Sequence, residues 1–124
     1  MHNVSIHTAS IIDIQTLDDA KKLIHAIGSD PQSIDIMAPK AIFKVIKLQA
    51  VVLQDAIIIK QDMLSIGGEV AIPKDAFQLK EKPAEIIIMG TLKQHRKLVE
   101  KLNRHYPRIK TIANELRQLI KEIR

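Results

Sequence analysis

The sequence Glu85-Ile86-Ile87-Ile88-Met89-Gly90-Thr91 joins an apolar run of strand length to the start of a helix. A continuous apolar run is typical of a strand that is buried on both faces. Thr91 stands directly before a helical pattern that begins at Leu92, and threonine is a favoured helix N-cap. We therefore predict a buried strand over residues 85–89, followed by a helix from Leu92 to about Arg104.

A second long helix is predicted upstream, over Leu53–Ile66, and Gly67-Gly68 ends it. On a helical projection Asp55 and Asp62 lie on the side facing solvent. The apolar face predicted for this helix consists of Leu53, Ala56, Ile57, Met63 and Leu64. Since Lys60 projects into the middle of that face, it must extend its ammonium to solvent, pair with a carboxylate or bind an anion. We expect the first of these, with an anion or ligand contact as the alternative.

The rest of the chain alternates between strand-like and helix-like segments. The other predicted strands are a β-like start over residues 3–9, a strand over residues 45–52, and a short strand over residues 69–72 that Pro73 stops. The remaining predicted turns and loops are Asp30-Pro31, residues 74–78, residues 79–83 and the break at Tyr106-Pro107. The remaining predicted helices are residues 17–27 between a Thr16 cap and Gly28, a short helical turn from Pro39 to Phe43, and a last helix capped by Thr111.

This alternation predicts an α/β fold, a two-layer α/β sandwich of three to five strands with three to four helices on one or both faces. We expect one domain over residues 1–124. The last helix, about residues 111–124, either docks on that domain or lies at its periphery. Its apolar stripe is predicted to consist of Ile112, Leu116, Leu119, Ile120 and Ile123.

The composition narrows the functional classes. The chain of 124 residues is 46% hydrophobic and only 2% aromatic, so its core must be aliphatic. The absence of cysteine excludes disulfides, thiolate nucleophiles and cysteine-based zinc sites. We find no apolar run that could span a membrane, no signal-peptide pattern, and no histidine or carboxylate spacing that indicates a metal site. We therefore expect a cytoplasmic protein without metal or cofactor.

The net charge of +5 is unevenly distributed along the chain. Ten Lys and Arg residues stand against three Glu residues between Lys93 and Arg124, whereas the first 92 residues hold nine basic and eleven acidic side chains. Solvated helix faces explain such a bias, and a nucleic-acid surface is the alternative. That alternative would use Lys93, Arg96, Lys97, Lys101, Arg104, Arg108 and Lys110. With so few aromatic side chains for base stacking, we do not expect sequence-specific RNA binding.

Gly90-Thr91 also allows two interpretations. Free backbone N–H groups between a strand and a helix can hold a phosphate. Neither nucleotide-binding glycine spacing is present, however, and we favour a simple helix cap. The basic residues around the Pro39 turn, Lys40, Lys44 and Lys47, are expected at the surface.

Several short matches occur in a consistent order along the chain. They are Met37-Ala38-Pro39-Lys40, Lys47-Leu48, Lys60-Gln61, Met63-Leu64-Ser65 with Gly67-Gly68, Met89-Gly90-Thr91 and Lys101-Leu102. Together they resemble the accessory N-terminal segment that precedes the catalytic barrel in some archaeal and bacterial dihydropteroate synthases, over roughly residues 16–116. The barrel's Asn-x-Thr-Pro-Asp-Ser-Phe type motif does not occur in these 124 residues.

The resemblance implies a context of pterin and folate biosynthesis without any catalytic residue to carry over. It predicts a non-catalytic accessory or interaction domain, whose partner is a barrel-type pterin synthase or a second copy of the chain. Nucleic acid is the second choice of partner. The tentative ligand or anion site consists of Lys40, Lys60, Gln61, Gly90 and Thr91.

Overall fold

The computed structural model describes residues 6–74 and 82–124. The described helices are α1 (Leu17–Ala26), α2 (Pro31–Met37), the 3₁₀ helix η1 (Ala38–Lys40), α3 (Leu53–Ile66), α4 (Leu92–Leu102) and α5 (Pro107–Lys121). The described strands are β1 (Phe43–Val51), β2 (Glu69–Ala71) and β3 (Ala84–Thr91). The predicted turn over residues 74–78 and loop over residues 79–83 lie mostly outside the described residues, as does the beginning of the β-like start.

The described strands form one antiparallel sheet in the order β1-β3-β2. Its register pairs Val45 with Met89 and Ile46 with Ile88, so alternate residues point to opposite faces. The register shifts near the end of β1, where Ala50 has a φ of 58° and Val51 turns inward. This bulge leads the chain directly into α3.

The described helices cover one face of this sheet, which makes the fold a two-layer α/β sandwich, as predicted. The described residues form five α-helices where three to four were predicted. The core is aliphatic and lies between α3, α4 and the inner face of the sheet. From the sheet it takes Ile46, Leu48, Val70, Ile86 and Ile88, and from the helices Ile59, Met63, Leu92, Leu98 and Leu102. Helix α5 packs on α4 and adds Ile109, Ala113, Leu116 and Ile120 to the same core.

Glycines shape two places around α3. Gly67 ends the helix with a φ of 101°, in the left-handed region that favours glycine. Gly90 lies under Met63, since a Cβ atom at position 90 would stand 2.5 Å from the Met63 Cε atom. The predicted end of the helix is therefore confirmed, and Gly90 has a packing role.

The predicted apolar face of α3 is wrong in part. Ala56 and Met63 are buried as predicted, but Leu64 is 46% exposed and Ile59 is fully buried instead. Asp55, predicted on the solvent side, is only 2% exposed. Because α3 carries apolar residues nearly all round, its periodicity alone could not define which side packs inward.

The prediction that β3 is buried on both faces is also wrong. Ile86 and Ile88 are buried, but Ile87 between them is 37% exposed because the described helices cover only the opposite face. Because all three residues are isoleucine, the sequence does not show that buried and exposed positions alternate along β3; the packing of helices on one face of the sheet determines this.

The structure differs from the predictions at four further places. Residues 6–9 are not in a strand. Asp30 caps α2, with Pro31 at its first position, where only a turn was predicted. Pro107 similarly begins α5, so Thr111 lies inside that helix and donates to the Pro107 carbonyl instead of capping it. In the predicted stripe of α5, Leu119 is 48% exposed while Ile109 and Ala113 are buried.

Candidate functional site

Three lysines converge on one cavity of about 320 Å³ at the start of α4. Lys40 comes from η1, whereas Lys93 and Lys97 lie one turn apart on α4. The walls are completed by Ile66, Thr91 and Gln94. We call this site the lysine cavity.

Local sequence explains why these elements meet. Pro39 lies within the tight turn of η1, directly before Lys40. The backbone N–H of Leu92 donates to the carbonyl of Ile42 at 2.8 Å, which joins the segment after η1 to the first residue of α4. Lys40, expected at the surface and also included in the predicted anion site, is thereby brought beside two lysines that lie more than fifty positions further along the chain.

The lysine cavity carries positive charge that no acidic side chain in its described lining offsets. The charge of Lys40 lowers the pKa of Lys93, and burial and the charge of Lys97 lower it further. Among the described residues no carboxylate lines the cavity. Four other described lysines form ion pairs: Lys21 with Asp35, Lys22 with Asp18, Lys47 with Glu85 and Lys60 with Glu69.

The backbone at the start of α4 is already occupied by a capping box. The Thr91 hydroxyl accepts from the Gln94 N–H at 3.1 Å, and the Gln94 side-chain oxygen accepts from the Thr91 N–H at 2.9 Å. The predicted helix cap at Thr91 is therefore confirmed. The lysine side chains are the main donors at this site, since the backbone donors of residues 91, 92 and 94 already have partners.

The structure does not gather the tentative ligand site into one place. Lys40 and Thr91 line the lysine cavity, whereas Gly90 is buried and Gln61 is exposed on α3. Lys60 neither reaches freely into solvent nor pairs with a buried carboxylate. Its ammonium donates to the Val70 carbonyl at 2.7 Å and to the half-exposed Glu69 carboxylate at 3.2 Å, thereby tying α3 to β2.

The residues of the nucleic-acid alternative point in several directions. Lys93 and Lys97 line the lysine cavity, whereas Arg96 lines a different cavity of about 530 Å³ between α4 and α5. Lys101 donates to the Ser65 hydroxyl, and Arg108 is held by Asp55. Arg104 and Lys110 are exposed. Lys93, Lys97 and Lys101 share one face of α4. Arg96 and Arg108 lie elsewhere, so the seven residues do not all belong to one surface.

A buried polar cluster joins α3 to the start of α5, and sequence reasoning missed it. Asp55 accepts hydrogen bonds from the Tyr106 hydroxyl and from two Arg108 nitrogens, at 2.6 and 2.8 Å for the arginine. Burial would raise the pKa of Asp55, but these bonds outweigh it and hold that pKa below its ordinary value. Asp55 in turn raises the pKa of Arg108. No spacing in the sequence indicates this pairing.

The outer face of the sheet is a second surface that sequence reasoning missed. We call it the open sheet face; it consists of Phe43, Val45, Lys47, Glu85, Ile87 and Met89. Phe43 and Val45 are each 61% exposed, and Met89 is half-buried. One ion pair crosses this face, between Lys47 and Glu85 at 3.5 Å. Contiguous exposed apolar side chains are a common feature of interaction surfaces.

Two classes of site find no counterpart in the described residues. Within residues 6–74 and 82–124, no group of three histidine or acidic side chains could hold a metal ion. In the same ranges, no helix reaches the length and apolarity that crossing a membrane demands.

The fold and its sites thus define a small α/β domain with an unbalanced lysine cavity and an open sheet face. Over 104 residues the chain is 29% identical to the bifunctional dihydropteroate synthase/dihydropteroate reductase of Helicobacter pylori. The matched segment is 84% of this chain and 27% of that enzyme, so the chain spans about a quarter of its relative. No family model matches the chain, and no solved structure matches it. The similarity supports a relationship to a region of dihydropteroate synthase-type proteins.

Proposed function

We propose that the chain is a non-catalytic accessory or interaction domain of a dihydropteroate synthase-like system in pterin and folate biosynthesis. The observation that carries this proposal is the similarity over 84% of the chain to a protein named for dihydropteroate synthesis. The aligned segment is 27% of that protein, and the barrel's Asn-x-Thr-Pro-Asp-Ser-Phe type motif does not occur in these 124 residues. In the cell, such a domain would work in the cytoplasm.

The open sheet face is the surface we assign to that interaction. Phe43, Val45 and Ile87 present apolar side chains on a rigid sheet. Covering them would remove apolar area from water, the main favourable term in protein association. The ion pair of Lys47 with Glu85 crosses the same face and would give the contact a polar component. The proposed occupant is a barrel-type dihydropteroate synthase on a separate chain.

Binding in trans tests this assignment. The purified chain is mixed with the dihydropteroate synthase of the same organism, and association is measured by calorimetry and analytical ultracentrifugation. Val45→Lys should weaken binding at least about tenfold, because it places an ammonium on the apolar contact. Ile36→Lys is the matched control, since Ile36 is 59% exposed but lies on α2, away from the sheet. We expect it to bind like the unmodified chain.

Two results would contradict the assignment. Absence of any complex at micromolar concentrations would remove the proposed partner, and self-association that Val45→Lys abolishes would replace it with a second copy of the chain. Catalysis is checked separately with pterin pyrophosphate and p-aminobenzoate. We expect no product above a blank from this chain alone. The nucleic-acid alternative gains no support from the comparisons and stays a prediction.

A further inference from the structure

We propose that the lysine cavity binds a small phosphate-bearing anion, with Lys40, Lys93 and Lys97 as its cationic ligands. The inference rests on the geometry of the cavity and is independent of the proposed accessory role. Inorganic phosphate and pyrophosphate share the required chemistry, and the experiment below distinguishes them.

The first argument is charge. Lys40, Lys93 and Lys97 line the same cavity, so the fold holds together like charges that repel one another. Consistent with this, the charges of Lys40 and Lys97 lower the pKa of Lys93. The described lining contains no acidic side chain that would offset this repulsion. An anion carrying two or more charges would interact with all three ammonium groups at once. Lysine is a common phosphate ligand that acts as a point charge.

The second argument is shape. The lysine cavity, at about 320 Å³, lies at the lower end of the range for small-molecule pockets. Its wall is mixed: Ile66 gives an apolar patch, while Thr91 and Gln94 give polar groups beside the lysines. A phosphate bound by the lysines would leave room for a second phosphate or for a compact substituent against Ile66. Pyrophosphate should therefore bind more tightly than phosphate.

The third argument separates this site from a nucleic-acid surface. A nucleic-acid backbone needs cations spaced along an extended track. Of the neighbouring basic residues, Arg96 lines the cavity against α5 and Arg108 is held by Asp55. Lys101 lies one turn beyond Lys97 on α4, but its ammonium donates to the Ser65 hydroxyl. The three lysines form a compact group around one cavity, which suits a small anion.

The test is the thermal stability of the whole chain in phosphate, in pyrophosphate and in sodium chloride of equal ionic strength, followed by calorimetric titration of pyrophosphate. A ligand that binds only the folded state raises the melting temperature. Lys93→Gln and Lys97→Gln should each weaken pyrophosphate binding about tenfold, because each removes a charge-assisted contact. Lys110→Gln is the matched control, as it removes the same charge from an exposed position on α5.

The melting temperature of Lys93→Gln distinguishes a ligand-binding lysine from one that the fold needs for stability. Without ligand, Lys93→Gln should melt at the same temperature as the unmodified chain or higher, because it relieves repulsion from Lys40. With pyrophosphate present, the unmodified chain should instead melt at a higher temperature than Lys93→Gln. A lysine needed for folding would lower the melting temperature under both conditions.

Three outcomes would overturn the proposal. The first is a pyrophosphate response no larger than that of chloride. The second is an unchanged response in Lys93→Gln. The third is equal weakening by Lys110→Gln, together with tighter binding of a single-stranded oligonucleotide than of pyrophosphate, which would show a broad polyanion surface in place of a cavity.

Discussion

Replacing Asp55 by asparagine tests whether the buried polar cluster fastens α5 to α3. The Asp55 carboxylate is 2% exposed and accepts three hydrogen bonds, one from Tyr106 and two from Arg108. Asparagine keeps the shape but offers one acceptor oxygen and places an amide NH₂ donor against the arginine donors. The fold therefore loses a charge-assisted bond at a buried position.

The size of the effect follows from that geometry. A hydrogen bond to a charged group contributes about 1.5 to 3 kcal/mol, and breaking a fully buried ion pair costs about 3 to 5 kcal/mol. The Arg108 side chain is 53% exposed and can turn toward water once released, which keeps the cost near the lower range. We expect Asp55→Asn to lower the free energy of unfolding by about 2 kcal/mol. For a domain of this size, that is a fall in melting temperature of about 8 °C.

The assay is urea unfolding followed by circular dichroism at pH 7, with Asp35→Asn as the matched control. Asp35 also forms an ion pair, with Lys21 at 3.3 Å, but its side chain is 82% exposed, so little measurable change is expected there. Equal effects of the two substitutions would refute the reasoning, as would an Asp55→Asn protein as stable as the unmodified chain.

The pH dependence gives the same test a second readout. The folded state lowers the pKa of Asp55 below its ordinary value. Its contribution is therefore fully present above the unfolded pKa of about 4 and is lost as the pH falls through the lower folded pKa. The difference in stability between the unmodified chain and Asp55→Asn should stay constant from pH 7 to pH 5 and shrink below about pH 4.

Three further predictions concern single residues. Lys60→Met should lower the free energy of unfolding, measured in urea, by about 1 kcal/mol, because the Val70 carbonyl on the edge strand loses its 2.7 Å donor. An unchanged or increased stability would instead show that Lys60 merely extends into solvent. Gly90→Ala should cost about 1 to 3 kcal/mol by overpacking against Met63, and a melt within about 1 °C of the unmodified chain would contradict this packing. Burial lowers the pKa of His95, so protonation of this side chain favours unfolding. The free energy of unfolding should therefore fall between pH 7 and pH 5. His95→Gln should remove that part of the pH dependence.

Local signals were sufficient to locate most helices and strands in this chain. The bounds of α3 were predicted at Leu53–Ile66 and are observed there, since Gly67 provides an unambiguous end. The caps at Thr16 and Thr91 were also predicted correctly, because a hydroxyl directly before an amphipathic run favours an N-cap. The same pattern failed at Thr111, because Pro107 begins that helix one turn earlier. The α/β fold class followed from the order of these elements.

Tertiary packing determined which side of each helix and strand faces the core. Helix α3 is apolar on most sides, so packing against the sheet decided that Ile59 turns inward and Leu64 outward. The number of helical layers decided that Ile87 remains exposed, which no property of an isoleucine run could indicate. The composition therefore predicted that an aliphatic core would form, whereas the packing of helices on the sheet determined which face of each element is buried in that core.

The sequence by itself determined the local structure, the aliphatic character of the core and the basic bias of the last quarter of the chain. Tertiary structure alone decided which charges meet. Lys40 stands beside Lys93, and Asp55 beside Arg108, across more than fifty residues in each case. Electrostatic interaction depends on distance in space, and distance along the chain carries almost no information about it once the chain has folded. The lysine cavity and the buried polar cluster are therefore properties of the fold.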